Sequence, residues 1–112
     1  MMEVARLESA RILVAGLGRE GLSTCRFIRR HFPSKRFAIC DRSDFDALSL
    51  DVKQWLSGDS NIDSFFGDSY LAHAASFDVI VRSPGISLFS QELQQAVKRG
   101  VRLTSQTDIF FA

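Results

Sequence analysis

Cysteine and proline are scarce, with two of each in 112 residues, beside a single tryptophan and a single tyrosine. A pair of thiols, Cys25 and Cys40, cannot build the disulfide framework of a small secreted domain. Both fall in apolar segments, where a reduced cysteine behaves as a small hydrophobe. Neither they nor the histidines, His31 and His73, stand at metal-ligand spacing, so no metal site is expected. Charge of one sign is missing as well: 14 Lys and Arg face 13 Asp and Glu, a net charge of +1. That balance excludes the basic footprint of a nucleic-acid binder. No apolar run approaches the ~20 residues that span a bilayer. The opening Met1-Met2-Glu3-Val4-Ala5-Arg6 lacks the apolar centre of a signal peptide. The expected location is therefore cytoplasmic, with neither nucleic acid nor membrane as partner. No G-x-x-x-x-G-K-[ST] loop occurs, and no nucleophile–histidine–acid set is discernible, so no catalytic residue is assigned.

What remains is an ordinary globular composition, 46% hydrophobic and 24% charged, in a chain long enough to bury a core. Short apolar runs at 12–15, 37–40, 62–66, 78–81 and 101–104 read as strands. Between them, 19–32, 44–56 and 91–99 read as helices, and 70–75 as one or two helical turns. Leu22, Cys25, Ile28 and Phe32 recur at helical spacing with arginines opposite, and Pro33-Ser34 ends that helix. Leu48, Val52, Trp55 and Leu56 are expected to face inward from the second helix, which Gly58 stops. Leu93, Ala96 and Val97 are expected to face inward from the third, which Gly100 stops. The basic cluster Arg26, Arg29, Arg30, His31, Lys35 and Arg36 reads as a solvated face that complements a helix C-terminus. Five strands separated by helices imply an α/β fold with a five-stranded parallel sheet, right-handed crossovers and order 3-2-1-4-5. Such a sheet binds ligands where its order reverses, at the carboxyl ends of strands one and four. The apolar start of another helix, Ile109-Phe110-Phe111 within 107–112, needs covering. Residues 1–112 are thus expected to be a single domain cut from a longer protein.

Two turns reach that edge. Ile12-Leu13-Val14-Ala15 runs into Gly16-Leu17-Gly18-Arg19-Glu20-Gly21 and then a helix. Glycines allow a tight turn and a ligand's close approach, while the helix offers unpaired N–H groups to an anion. Glu20 competes for those donors, and Arg19 offsets its charge. Asp41 follows by about 20 residues, the spacing of a carboxylate that accepts from a ribose hydroxyl. It can also cap the next helix, a role compatible with the first. Arg42 and Ser43 can donate to carbonyl or phosphate groups. Opposite, Ser83-Pro84-Gly85-Ile86 leaves the fourth strand with a fixed proline and a glycine against which a ligand can lie. The readings compatible with these residues are a nucleotide-binding domain, an NAD(P)-binding regulatory or dehydrogenase module, and an interaction module whose glycine turn is only structural.

The run from Arg11 to Ser23, then Asp41, then Asp78-Val79-Ile80-Val81-Arg82-Ser83-Pro84-Gly85-Ile86, then Gly100-Val101-Arg102-Leu103 resembles the N-terminal domain of the Mur ligases. The resemblance spans nearly the whole chain and is nearest the D-glutamate-adding branch. It implies a Rossmann-like three-layer α/β/α domain that holds the UDP part of UDP-N-acetylmuramoyl-L-alanine in an ATP-dependent, amide-forming ligase of peptidoglycan synthesis. By that resemblance the backbone of Gly18, Arg19, Glu20 and Gly21 meets the diphosphate, and Asp41, Arg42 and Ser43 meet the uracil. Ser83, Pro84, Gly85 and Ile86 form the second wall. ATP and magnesium then belong to later ATPase and C-terminal domains, and no cofactor to this one. That branch often carries threonine where Glu20 stands, and Asp-Thr-Arg where this chain has Asp41-Arg42-Ser43.

Overall fold

A computed structural model describes residues 4–105; the helix expected at 107–112 lies outside the described residues. The elements run α1 (Val4–Ser9), β1 (Ile12–Ala15), α2 (Arg19–His31), β2 (Phe37–Asp41), α3 (Leu50–Ser57), β3 (Ile62–Phe66), β4 (Val79–Arg82), α4 (Gln91–Lys98) and β5 (Arg102–Thr104). Short 3-10 turns stand at Phe45–Ala47 and Ala74–Ser76. All five strands pair in parallel, in the order β3-β2-β1-β4-β5.

The central strand explains the layering. Every residue of β1 is buried, because a parallel sheet is covered on both faces and reads as a continuous apolar run. Its side chains alternate between two cores. Ile12 and Val14 join Leu7, Cys25, Ile28 and Ile39 under α2. Leu13 and Ala15 join Ala38, Ile80, Leu93 and Ala96 under α4. Helices on both faces complete the three-layer α/β/α arrangement. Ala15 is level with Cys40 on one side and Arg82 on the other, so the turns after β1, β2 and β4 emerge side by side.

The structure departs from the sequence reading at several points. The helix expected at 44–56 is broken. Ser49 sits in extended backbone at φ −63°, ψ 156°, and its Oγ accepts from the Val52 N–H, so α3 starts only at Leu50. A serine that bonds nearby backbone favours a cap over a helix interior. Leu48, Trp55 and Leu56 still pack on the α2-side core, half-buried. Val97, expected inside, is 50% exposed: Leu93 and Ala96 form the buried stripe of α4, and Val97, about 40° from Leu93 on the side away from Ala96, falls at its margin. The α1 helix was not expected; its Leu7 is fully buried. Gly100 does stop α4, at φ 95°, in the left-handed region that suits glycine.

In the basic cluster Arg26, His31 and Arg36 are exposed, as a solvated face requires, and Arg29 is the exception. Its Nε donates to Asp59 at 2.8 Å, and its Nη1 donates to the carbonyls of Phe32, Pro33 and Lys35. Its guanidinium also lies over the Phe37 ring, 5.0 Å from the centroid. It closes the carboxyl end of α2 and the loop into β2.

Candidate functional site

The three turns at the carboxyl edge are tied to one another through backbone groups. Gly16 N–H donates to the Cys40 carbonyl at 2.7 Å, and Ser83 N–H to the Ala15 carbonyl at 3.0 Å. The Ser83 hydroxyl donates to the Gly16 carbonyl at 3.3 Å. Arg82, at the end of β4, folds its Nη1 back onto the carbonyls of Ser83 and Ile86, which holds the Ser83–Ile86 turn from inside.

Asp41 is the main fastener. One carboxylate oxygen accepts from the Leu17 N–H at 2.7 Å and the other from the Ser43 N–H at 2.8 Å. The side chain therefore clamps the glycine turn to the end of β2. It does not cap the following helix, which Ser49 does. Each oxygen keeps lone-pair capacity for a ligand donor.

The glycines fall into two classes. Gly16 has φ +96°, and a Cβ there would stand 2.8 Å from the Ser83 Cβ; a Cβ on Gly21 would collide with the Gly16 carbonyl oxygen. Those two glycines are required by the fold. Around Gly18 and Gly85, by contrast, a Cβ would meet nothing within 4 Å. No contact inside the domain demands glycine at either position.

Gly18 and Gly85 line the same concavity, about 360 Å³, together with Arg19, Glu20, Ser83 and Pro84. A second concavity of about 370 Å³ is lined by Asp41, Arg42, Tyr70, Gly85, Ile86, Ser87 and Ser90. Gly85 belongs to both, so the two form one continuous surface along the strand ends. Nine of the eleven residues singled out in the sequence line it; Gly21 is buried behind the turn, and Ser43 stands exposed beyond Asp41. Tyr70, Ser87 and Ser90 were missed. Tyr70 lies in a loop whose weak helical pattern gave no functional signal, and the two serines follow the Ser83–Ile86 turn in a stretch without a motif.

The electrostatics favour an anion at one end. Helix α2 starts at Arg19, and its N-cap, Gly18, has no side chain to satisfy the first N–H groups. The N–H groups of Arg19, Glu20 and Gly21 have no acceptor among the described hydrogen bonds, the first in that stretch being Leu22 N–H to the Gly18 carbonyl. Such a helix start carries partial positive charge. The thiol of Cys40, behind the turn, is no nucleophile: burial pushes it up to about 12, against a smaller opposing effect of the Gly16 backbone. Burial likewise pushes Cys25 up to about 12. Among the described residues no group of His, Cys, Asp and Glu is arranged to hold a metal ion, and no helix is long and apolar enough to cross a membrane.

Comparison with known proteins places this geometry in a family. The model of the Mur ligase MurD-like N-terminal domain matches residues 10–105. The UDP-N-acetylmuramoylalanine--D-glutamate ligase of Methylococcus capsulatus is 32% identical over 101 residues, covering 90% of this chain and 21% of that protein. The UDP-N-acetylmuramoyl-L-alanine--L-glutamate ligase of Xylella fastidiosa is 29% identical over 115 residues, covering 99% of this chain and 22% of that one. The chain thus spans about a fifth of the length of the curated relatives it matches. Among solved structures, human Methyltransferase-like protein 13 in complex with SAH aligns with a TM-score of 0.51 at 25% identity, covering 87% of this chain and 51% of that chain. The parallel sheet, the linked strand-end turns and the family match over residues 10–105 agree: the chain belongs to the MurD-like N-terminal domain family of the Mur ligases.

Proposed function

We propose that this domain captures the uridine diphosphate part of UDP-N-acetylmuramoyl-L-alanine for a ligase that uses ATP and magnesium in later domains. The observation that carries the reading is the pair Gly18 and Gly85. Both are free of any internal need for glycine, and both line one concavity beside an uncapped helix start. Leaving out a side chain at both places keeps backbone N–H groups open to phosphate oxygens.

In this reading the diphosphate lies across Gly18, Arg19, Glu20 and Gly21, against the wall made by Ser83, Pro84 and Gly85. The uridine lies toward Asp41, Arg42, Ser43 and Ile86. Two or three charge-assisted hydrogen bonds at about 1.5–3 kcal/mol each supply roughly 3–9 kcal/mol, which supports weak-to-moderate binding of a diphosphate. Glu20 sits in the first turn of α2 and lines the concavity, so its carboxylate has to turn outward for phosphate to enter. The domain's work is binding and orientation; the acyl-phosphate chemistry, the choice of amino acid and the turnover of ATP belong to the rest of the protein. The relatives support that division, since ligases named for D-glutamate and for L-glutamate match this domain about equally well. A role in peptidoglycan synthesis, and through it in cell shape and division, follows, as does a cytoplasmic location.

The test is an amide-resolved NMR titration. UDP is expected to shift Gly18, Arg19, Glu20, Gly21, Asp41, Arg42 and Gly85, with NADH and SAH doing much less. A stronger response to NADH or SAH at those amides would reject the assignment, and silence toward all three would leave the turn a structural element.

A further inference from the structure

Three arginines fasten the fold: Arg11, Arg29 and Arg36 pair with Asp78, Asp59 and Asp63. Three others, Arg19, Arg26 and Arg30, are exposed on α2 and form no ion pair among the described residues. Their spacing along α2 brings all three within about 40° of one another round the helix, in a row about 16 Å long. Arg26 and Arg30 stand four positions apart, where like charges repel. The row therefore costs the isolated domain stability, and negative charge from outside relieves it.

Beside the row runs a groove. Helices α2 and α3 leave a concavity of about 240 Å³ between them, lined by Leu22 and Arg26 from one and by Asp51, Val52 and Trp55 from the other. Leu22, Val52 and Trp55 are only half-buried, so the apolar floor stays open to solvent. Arg26 belongs to the groove and to the row. An apolar floor with cations along one rim complements a helix whose apolar stripe is flanked by carboxylates. A nucleic-acid strand suits it less well, because the Asp51 carboxylate on the opposite rim would face the phosphates.

We propose that the α2–α3 groove docks an acidic amphipathic helix of a partner protein, its apolar face on Leu22, Val52 and Trp55 and its carboxylates on Arg26 and Arg30. The occupant is a separate polypeptide, because the groove lies on the β2 side of the sheet and the described chain leaves from β5, at the far edge. Trp55 is the only tryptophan, so its fluorescence reports on the groove directly. The 112-residue chain is titrated with two synthetic helical peptides that share one leucine stripe, flanked by glutamate in the first and by lysine in the second. A thymidine oligonucleotide and vesicles of phosphatidylglycerol are titrated in parallel. The glutamate peptide should saturate, shift the Trp55 emission to the blue and bind about five- to tenfold more tightly than the lysine peptide. Arg26→Gln combined with Arg30→Gln should bring the two peptides within about twofold of each other, and Arg26→Glu combined with Arg30→Glu should invert the preference. Equal binding of both peptides to wild type, or a preference that survives in the glutamine variant, would leave the arginine row without a role and overturn the proposal. A larger Trp55 response to the oligonucleotide or the vesicles, or silence toward all four, would overturn it too.

Discussion

Asp41 holds the fold and faces the candidate site at once, and the two duties have different costs. Its oxygens accept from Leu17 and Ser43 at 2.7 and 2.8 Å. Asparagine keeps the shape but supplies one acceptor and one NH₂, so one of those backbone N–H groups would meet another donor. Asp41→Asn should destabilise the domain by about 1–3 kcal/mol, read as a fall in the urea midpoint with an unchanged slope. A fall of less than a few tenths would mean that the clamp carries little. The glycine-to-acid spacing drew attention to Asp41, but its bond to Leu17 was not legible. That contact joins a side chain to a backbone N–H across 24 positions, and nothing in local pattern encodes it. Tyr70 was hidden for a similar reason: its place in the concavity comes from the loop that brings it beside Arg42.

Among the elements, β1 and β3 and the start of α2 were legible to the residue. For β1 an apolar run bounded by glycine leaves little choice; β3, Ile62-Asp63-Ser64-Phe65-Phe66, was the weaker signal, with two polar residues inside it. The stretch from Asp44 to Leu56 was misread because its apolar spacing suits one long helix while Ser49 supplies an internal cap. Periodicity speaks for the interior of a helix, and caps decide where it begins. Arg29 shows the same competition at the other end of a helix. A lysine there could reach Asp59 or one carbonyl, but not the fork that now serves Asp59, Phe32, Pro33 and Lys35. Arg29→Lys should cost about 1–3 kcal/mol and loosen the loop into β2, seen as faster amide exchange at Phe37, whose N–H donates to Asn61. Unchanged exchange would assign the loop's order to Phe37 packing instead.

For the molecule as a whole, topology was the most legible property, since alternating strands and helices admit few arrangements and right-handed crossovers remove most of them. Residues 4–105 fold around one sheet with a core on each face, and Arg11 and Asp78 join the amino ends of the neighbouring strands β1 and β4. The Arg11 backbone N–H and then its side chain hold the Asp78 carboxyl below its ordinary value. A carboxyl depressed in the folded state adds stability that is complete above the unfolded carboxylate pKa of about 3.9 and is lost as pH falls below it. Asp78→Asn should therefore flatten the loss of stability below about pH 4, a modest change because the pair is half exposed. An acid limb as steep as that of wild type would show that other carboxylates set it.

The central claim is that the concavity shared by Gly18 and Gly85 is where this domain meets a nucleoside diphosphate. Replacing either with alanine separates folding from binding, because a methyl group finds free space in the domain at both positions. Calorimetric titration of UDP into wild type, Gly18→Ala and Gly85→Ala, with melting temperatures recorded on the same samples, tests it directly. The account predicts melting points within a few degrees of wild type and UDP affinity lowered by about tenfold or more in both variants. Undiminished UDP binding in both, at unchanged melting temperature, would contradict it.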